Sequence, residues 1–129
     1  MGGGYRYLNV LTGSMEPTLP VGSLVIIKDT DFDKLKVGDI ITYKGKNSGT
    51  YVTHRIVNIN KDGSFITQGD ANNAEDIEPV EEKQVIGKVL FKVNYLGNVF
   101  TFLKDHIILT IVLLGIVLFI PDIYRKIRR

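Results

Sequence analysis

A chain of 129 residues has room for a single domain with a modest core, and roughly two-thirds of its unfolded surface can leave water on folding. It contains no cysteine, which excludes disulfides and thiolate metal sites. The net charge of +2 is set by the last five residues: Arg125, Lys126, Arg128 and Arg129 leave twelve basic against fourteen acidic groups, a balance of −2, over residues 1–124. The body of the chain therefore lacks the basic surface that a nucleic-acid partner requires.

In chain order, the opening "MGGG" reads as a flexible cap or an expression scar, and "YRYLNVL" as a first strand. The stretch "TGSMEPTLPVGS", Thr12 to Ser23, is too irregular for a helix and too punctuated for a long strand. Gly13 permits close backbone approach or an unusual φ, and Pro17 and Pro20 stiffen the turn that follows. Met15 and Leu19, apolar but in an irregular segment, are expected to face lipid or substrate. Five later segments carry the β-branched or alternating pattern of strands: residues 23–28, 39–44, 50–59, 64–68 and 85–93. "DFDKLK" suits one helical turn and "NKDGS" a hairpin. "DANNAEDIEPVEEKQ" is a polar loop with a short turn at its end.

After a hinge around "NYLGN" comes the apolar run Ile107 to Ile120, free of charge and fourteen residues long. That is short of the ~20 residues that span a bilayer. Phe100, Phe102 and Leu103 before it, and Ile123 and Tyr124 after it, lengthen the run, with Lys104 able to snorkel and Asp105 and Asp122 near the two interfaces. It reads as a buried core helix or, with "RKIRR" directly following, as a C-terminal transmembrane helix whose basic tail is cytoplasmic. The expected layout is a cap at residues 1–4, a β-rich domain at 5–99, and a transmembrane segment with its tail at 100–129.

Few residues in the chain offer chemistry. Ser14 needs a base to become a nucleophile, and the histidines are His54 and His106. His106 begins the apolar run. His54 lies in "YVTHRIV", where alternation puts it with Val52 and Ile56 on one face and Tyr51, Thr53, Arg55 and Val57 on the other. That position suits a satisfied core histidine as well as a catalytic base. In "QGDANNAED", Asp70 and Asp76 read as loop-forming acids, as calcium ligands together with Asn72, though without the EF-hand pattern, or as a carboxylate that orients the histidine.

Taken together, "GSMEPTLPVGSLVIIK", "THRIV" and "QGDANNAED", in that order and with Ser14 and His54 forty residues apart, resemble the signal peptidase I family, in its endoplasmic-reticulum and archaeal-like branch. The resemblance covers about residues 7–95. It implies that Ser14 is the nucleophile, His54 the general base where the common bacterial branch has lysine, Asp76 the acid of a Ser-His-Asp site, and Asp70 a supporting or second acid. Arg55 matches the arginine after the base. Thr12, where serine is frequent, would join the Ser14 N–H in an oxyanion hole.

The implied fold is mainly β, a small domain of coiled antiparallel sheets plus the C-terminal transmembrane helix. The implied activity is a membrane-anchored endopeptidase that removes signal peptides after small residues at the −1 and −3 positions, without metal or organic cofactor. Its partners would be signal peptides, the lipid membrane and the protein export machinery, with the catalytic domain on the outer or lumenal side. Two alternatives stay open: an inactive binding module of the same fold, and a self-cleaving repressor-type peptidase. The family normally carries a membrane helix just before the serine segment. Here only "MGGGYRYLNVL" precedes it, so the chain is expected to be either a shortened form or a natural form anchored at its C-terminus.

Overall fold

A computed structural model describes residues 4–94 and 96–128, with the side chains at positions 96–98, 100, 121, 123, 124, 127 and 128 outside that description. Most of the expected N-terminal cap, Tyr95 of the expected hinge and Arg129 of the basic tail thus lie outside the described residues. Residues up to Gly97 form one compact unit, and residues from Asn98 onward a second.

The first unit is built on one six-stranded sheet. Its strands are β1 (Tyr5–Asn9), β2 (Leu24–Lys28), β3 (Ile40–Lys44), β4 (Tyr51–Ile59), β5 (Phe65–Gln68) and β6 (Val85–Val93). The spatial order is β1-β2-β6-β3-β4-β5, and every pairing is antiparallel. The β-branched runs that mark these strands in the sequence pair where a half-buried pleated surface favours them. "DFDKLK" supplies a 3-10 turn at Phe32–Lys34, and the polar loop ends in another at Glu82–Gln84. The turn that launches β2 depends on Gly22. With φ of +89° and the Ser23 N–H donating to the Pro20 carbonyl at 3.0 Å, it is a type II turn that places glycine where other residues are strained.

Two apolar clusters fill the unit. One gathers Leu35, Ile41, Tyr43, Ile56, Phe65 and Val80. The other gathers Met15, Leu19, Val25 and Ile27, with Ile40 packed against it. Neighbouring residues of β3, Ile40 and Ile41, thus serve different clusters, as the period of two dictates. Met15 and Leu19 are not surface groups: each is 2% exposed and packs in the second cluster. The irregular serine segment is therefore held by two buried side chains instead of lying loose on the rim.

The helices are α1 (Leu96–Asp105), which begins two residues before the second unit, and α2 (Ile107–Arg128). Here the reading of the C-terminus is corrected. Among the described residues no helix is long and apolar enough to cross a membrane. The physical reason lies in length and polarity. Lys104, Asp105 and His106 stand directly before the uncharged run. That run of fourteen residues gives ~21 Å of helix against ~30 Å of hydrocarbon, and Asp122 follows it. The transmembrane helix, the membrane anchor, the lipid partner, and the placement of the domain outside with a cytoplasmic tail all rested on that span and are withdrawn with it.

The buried seat of Met15 has a measurable consequence. Met15→Ala is expected to lower unfolding free energy by ~2–5 kcal/mol, as for a long core side chain. Denaturant titration checks this, since a surface methionine would change it by less than ~0.5 kcal/mol.

Candidate active site

Three chain segments meet at His54, midway along β4. The serine segment runs through successive turns, with the Glu16 N–H donating to the Gly13 carbonyl at 3.1 Å and the Leu19 N–H to the Met15 carbonyl at 2.8 Å. These turns, with Met15 and Leu19 buried, point Ser14 back toward the sheet. The Ser14 Oγ lies 3.1 Å from His54 Nε2. On the other side of the ring, His54 Nδ1 is 2.6 Å from Asp76 Oδ2. A carboxylate only accepts, so Nδ1 donates, and in the neutral ring that leaves Nε2 to accept from the Ser14 hydroxyl. His54 is 8% exposed, and on the core face its two ring nitrogens are both engaged.

Asp76 is fixed through β5. Its N–H donates to the Thr67 carbonyl at 2.8 Å, and its Oδ2 accepts from Thr67 Oγ1 at 2.8 Å. The Tyr43 hydroxyl stands 3.2 Å from Thr67 Oγ1 and 3.4 Å from the same carboxylate oxygen. Burial pushes the Tyr43 phenol up to about 12, and the Asp76 charge adds to the rise while the Thr67 hydrogen bond opposes it. Tyr43 therefore remains a neutral donor at physiological pH.

Asp70 occupies a different position. Arg55 grips it with two parallel hydrogen bonds, Nε to Oδ1 at 2.9 Å and a terminal nitrogen to Oδ2 at 2.8 Å, while its remaining terminal nitrogen donates to the Gly38 carbonyl at 2.7 Å. Such a fork is geometrically exacting and strong. The Arg55 guanidinium holds the Asp70 carboxyl below the usual carboxylate range. Thr18 Oγ1 also donates to Asp70 Oδ2 at 2.7 Å, and the Ala71 N–H donates to the Ser14 carbonyl at 2.9 Å. Asp70 thus ties the serine segment to the acidic loop and makes no hydrogen bond to His54. Asp70 and Asp76 face separate partners, so they do not converge with Asn72 on a shared cation position.

Thr12 Oγ1 is 3.3 Å from Ser14 Oγ, and among the described residues no acceptor takes the Ser14 N–H. The expected special backbone role of Gly13 is not found: its φ is not positive, and an added Cβ would meet only the Glu16 side chain, at ordinary contact distance of 3.4 Å. Gly69 fills that role. A Cβ there would lie 2.5 Å from the Ser14 carbonyl oxygen and 3.1 Å from His54 Nε2. Beside Ser14 and His54 a cleft of about 670 Å³ runs between residues 8–12 and 49–54, floored in part by Met15, Leu19 and Val25.

Sequence reasoning missed Thr67, Tyr43, Thr18 and Gly69. A signal existed for two of them. Thr67 alternates with Phe65, and Tyr43 with Ile41, so each places a hydroxyl where the core face calls for hydrocarbon. The contacts of Gly69 and Thr18 come from folding of the loop and leave no local pattern.

Comparison with known proteins places this geometry in context. No family model matches the chain. The chain is 46% identical over 86 residues to Signal peptidase I W of Bacillus subtilis, across 64% of this chain and 45% of that protein. It is 32% identical over 128 residues to the signal peptidase complex catalytic subunit SEC11 of Metarhizium acridum, across 91% of this chain and 74% of that protein. It is 29% identical over 108 residues to the subunit SEC11C of Canis lupus familiaris, across 75% of this chain and 56% of that protein. The chain therefore spans less than half of its bacterial relative and about three quarters of the fungal one. On this evidence the chain belongs to the signal peptidase family of serine peptidases, with relatives in both its bacterial and its endoplasmic-reticulum-type members.

Two tests address the geometry. Gly69→Ala is expected to disrupt the Ser14–His54 contact, because the Ser14 carbonyl is backbone and cannot swing aside. A crystal structure of the variant checks this, and an unchanged 3.1 Å contact would contradict it. Tyr43 sets an alkaline limit. It loses its proton near 10 in the unfolded chain and at about 12 in the folded one, so the stability it contributes is complete below pH ~10 and is lost as pH rises through ~12. Urea unfolding across that window should fall more steeply with pH for the parent chain than for Tyr43→Phe.

Proposed function

We propose that the chain is a serine endopeptidase that removes signal peptides from exported proteins, cutting after small residues at the −1 and −3 positions. The observation that carries this reading is the single imidazole within hydrogen-bond reach of both Ser14 Oγ, at 3.1 Å, and Asp76 Oδ2, at 2.6 Å. Ser14 attacks the scissile carbonyl while His54 Nε2 takes its proton. Asp76 keeps Nδ1 protonated and stabilises the imidazolium that forms. His54 then returns the proton to the leaving amine, and a water molecule repeats the cycle on the acyl-enzyme. The Ser14 N–H and the Thr12 hydroxyl, 3.3 Å from Ser14 Oγ, would donate to the oxyanion. Asp70 supports the serine segment through Thr18 and Arg55. The filled and connected positions favour a working peptidase over an inactive module.

The strand pairing explains why an extended peptide fits. β3 pairs with β4 over Tyr51–Arg55, whereas β5 pairs with it only from Arg55 onward. The second edge of residues 51–54 is open among the described residues and borders the cleft. A substrate strand can add to that edge. Alternate side chains of an extended strand point the same way, so the −1 and −3 side chains face one wall together. Met15 and Leu19, each 2% exposed, close the floor with packed hydrocarbon, which suits small apolar groups.

Ser14→Ala is expected to abolish cleavage of a peptide bearing an Ala-x-Ala site while leaving the unfolding midpoint unchanged, because it removes only one hydroxyl. Cleavage and melting measured side by side check this; retained cleavage removes Ser14 from the nucleophile role. His54→Lys is expected to be inactive near neutral pH. A lysine base must be neutral, which takes a depression of several pKa units, and here the Asp76 carboxylate favours the charged form. An active lysine variant would contradict His54 as the base.

A further inference from the structure

We propose that Thr67 and Tyr43 are positioning residues for the reaction, acting through Asp76; this rests on the peptidase reading above. Asp76 belongs to an irregular polar loop between β5 and β6, without a strand or helix of its own to fix its side chain. Thr67 holds it at two points, its carbonyl accepting the Asp76 N–H and its hydroxyl donating to Oδ2, both at 2.8 Å. The same oxygen receives His54 Nδ1 at 2.6 Å, so the Thr67 bond fixes the atom that meets the imidazole.

Thr67 is fully buried, 0% exposed. Water cannot replace its hydroxyl without opening the core, and an unpaired carboxylate lone pair there is costly. Tyr43 completes the arrangement. Its hydroxyl reaches both Thr67 Oγ1 and Asp76 Oδ2, and the residue, 7% exposed, belongs to the same apolar cluster as Ile41, Ile56 and Phe65. β3 and β5 thus each bring one hydroxyl to a single carboxylate oxygen.

Neither hydroxyl touches Ser14 or the cleft wall, whose lining includes His54 but not Tyr43 or Thr67. Their loss should therefore act on turnover and not on peptide binding. Thr67→Val, which keeps shape and removes the hydroxyl, is expected to lower kcat about tenfold with KM changed less than about twofold, and Thr67→Ser to restore kcat. Tyr43→Phe should lower kcat less, since its contact is longer. In an Asp76→Ala background, Thr67→Val should cost nothing further, because the residue acts only through the acid.

If Thr67→Val fails to fold, Tyr43→Phe alone and in the Asp76→Ala background carries the same comparison. A crystal structure of Thr67→Val should show the Asp76 carboxylate turned away from Nδ1, which reads the positioning without any substrate. Full kcat in Thr67→Val with Ser14 and Asp76 both required would overturn this inference and leave the peptidase reading intact. Equal losses from Thr67→Val with and without Asp76 would overturn it too. Cleavage that survives Ser14→Ala would instead overturn the peptidase reading.

Discussion

The site depends on one imidazole making two hydrogen bonds to segments that are far apart in the chain. His54 reaches Ser14, forty residues before it, and Asp76, twenty-two residues after it. Neither partner lies on a regular element, so the sheet must carry the fixed point. β4 does so as an internal strand, held by β3 along one edge and by β5 along part of the other. The two loops are then fastened to that point separately. The serine segment is fastened by Met15 and Leu19 in the core and by the Ala71 N–H on the Ser14 carbonyl. The acidic loop is fastened by Thr67 and by the Arg55 fork on Asp70.

This division of labour separates the two aspartates. Asp76 accepts from the ring and from Thr67, while Asp70 accepts from Arg55 and Thr18. Arg55 directly follows His54, so strand alternation sends the two side chains to opposite sides. One strand position therefore supplies the group proposed for chemistry and the next supplies the brace. Lysine could not replace Arg55 without losing the two-pronged grip on Asp70.

Much of the sheet was legible in the sequence because β-branched runs and turn residues act locally. The six strands fall close to the segments that carry those patterns. His54 was legible only as a choice between core and catalysis. It is both buried and doubly bonded, and periodicity reports the first property alone. The burial of Met15 and Leu19 was not legible, because an irregular backbone hides packing that arises only when the segment folds back over β2. Gly69 and Thr18 left no signal, since their role exists only where three segments meet. The C-terminal run was overread: its apolar composition was legible, but among the described residues no helix is long and apolar enough to cross a membrane. How one sheet, rather than several, accommodates two clusters also became visible only through the opposite facing of Ile40 and Ile41.

The central claim is that His54 is held with Nδ1 protonated toward Asp76 and Nε2 free to receive the Ser14 proton. Nitrogen-15 NMR of the folded chain, with His106 assigned by substitution, distinguishes the two tautomers directly. The expected result is a protonated Nδ1 whose hydrogen resonates far downfield and disappears in Asp76→Ala, with an unprotonated Nε2 at neutral pH. A neutral ring protonated at Nε2, or a spectrum unchanged by loss of Asp76, would contradict it.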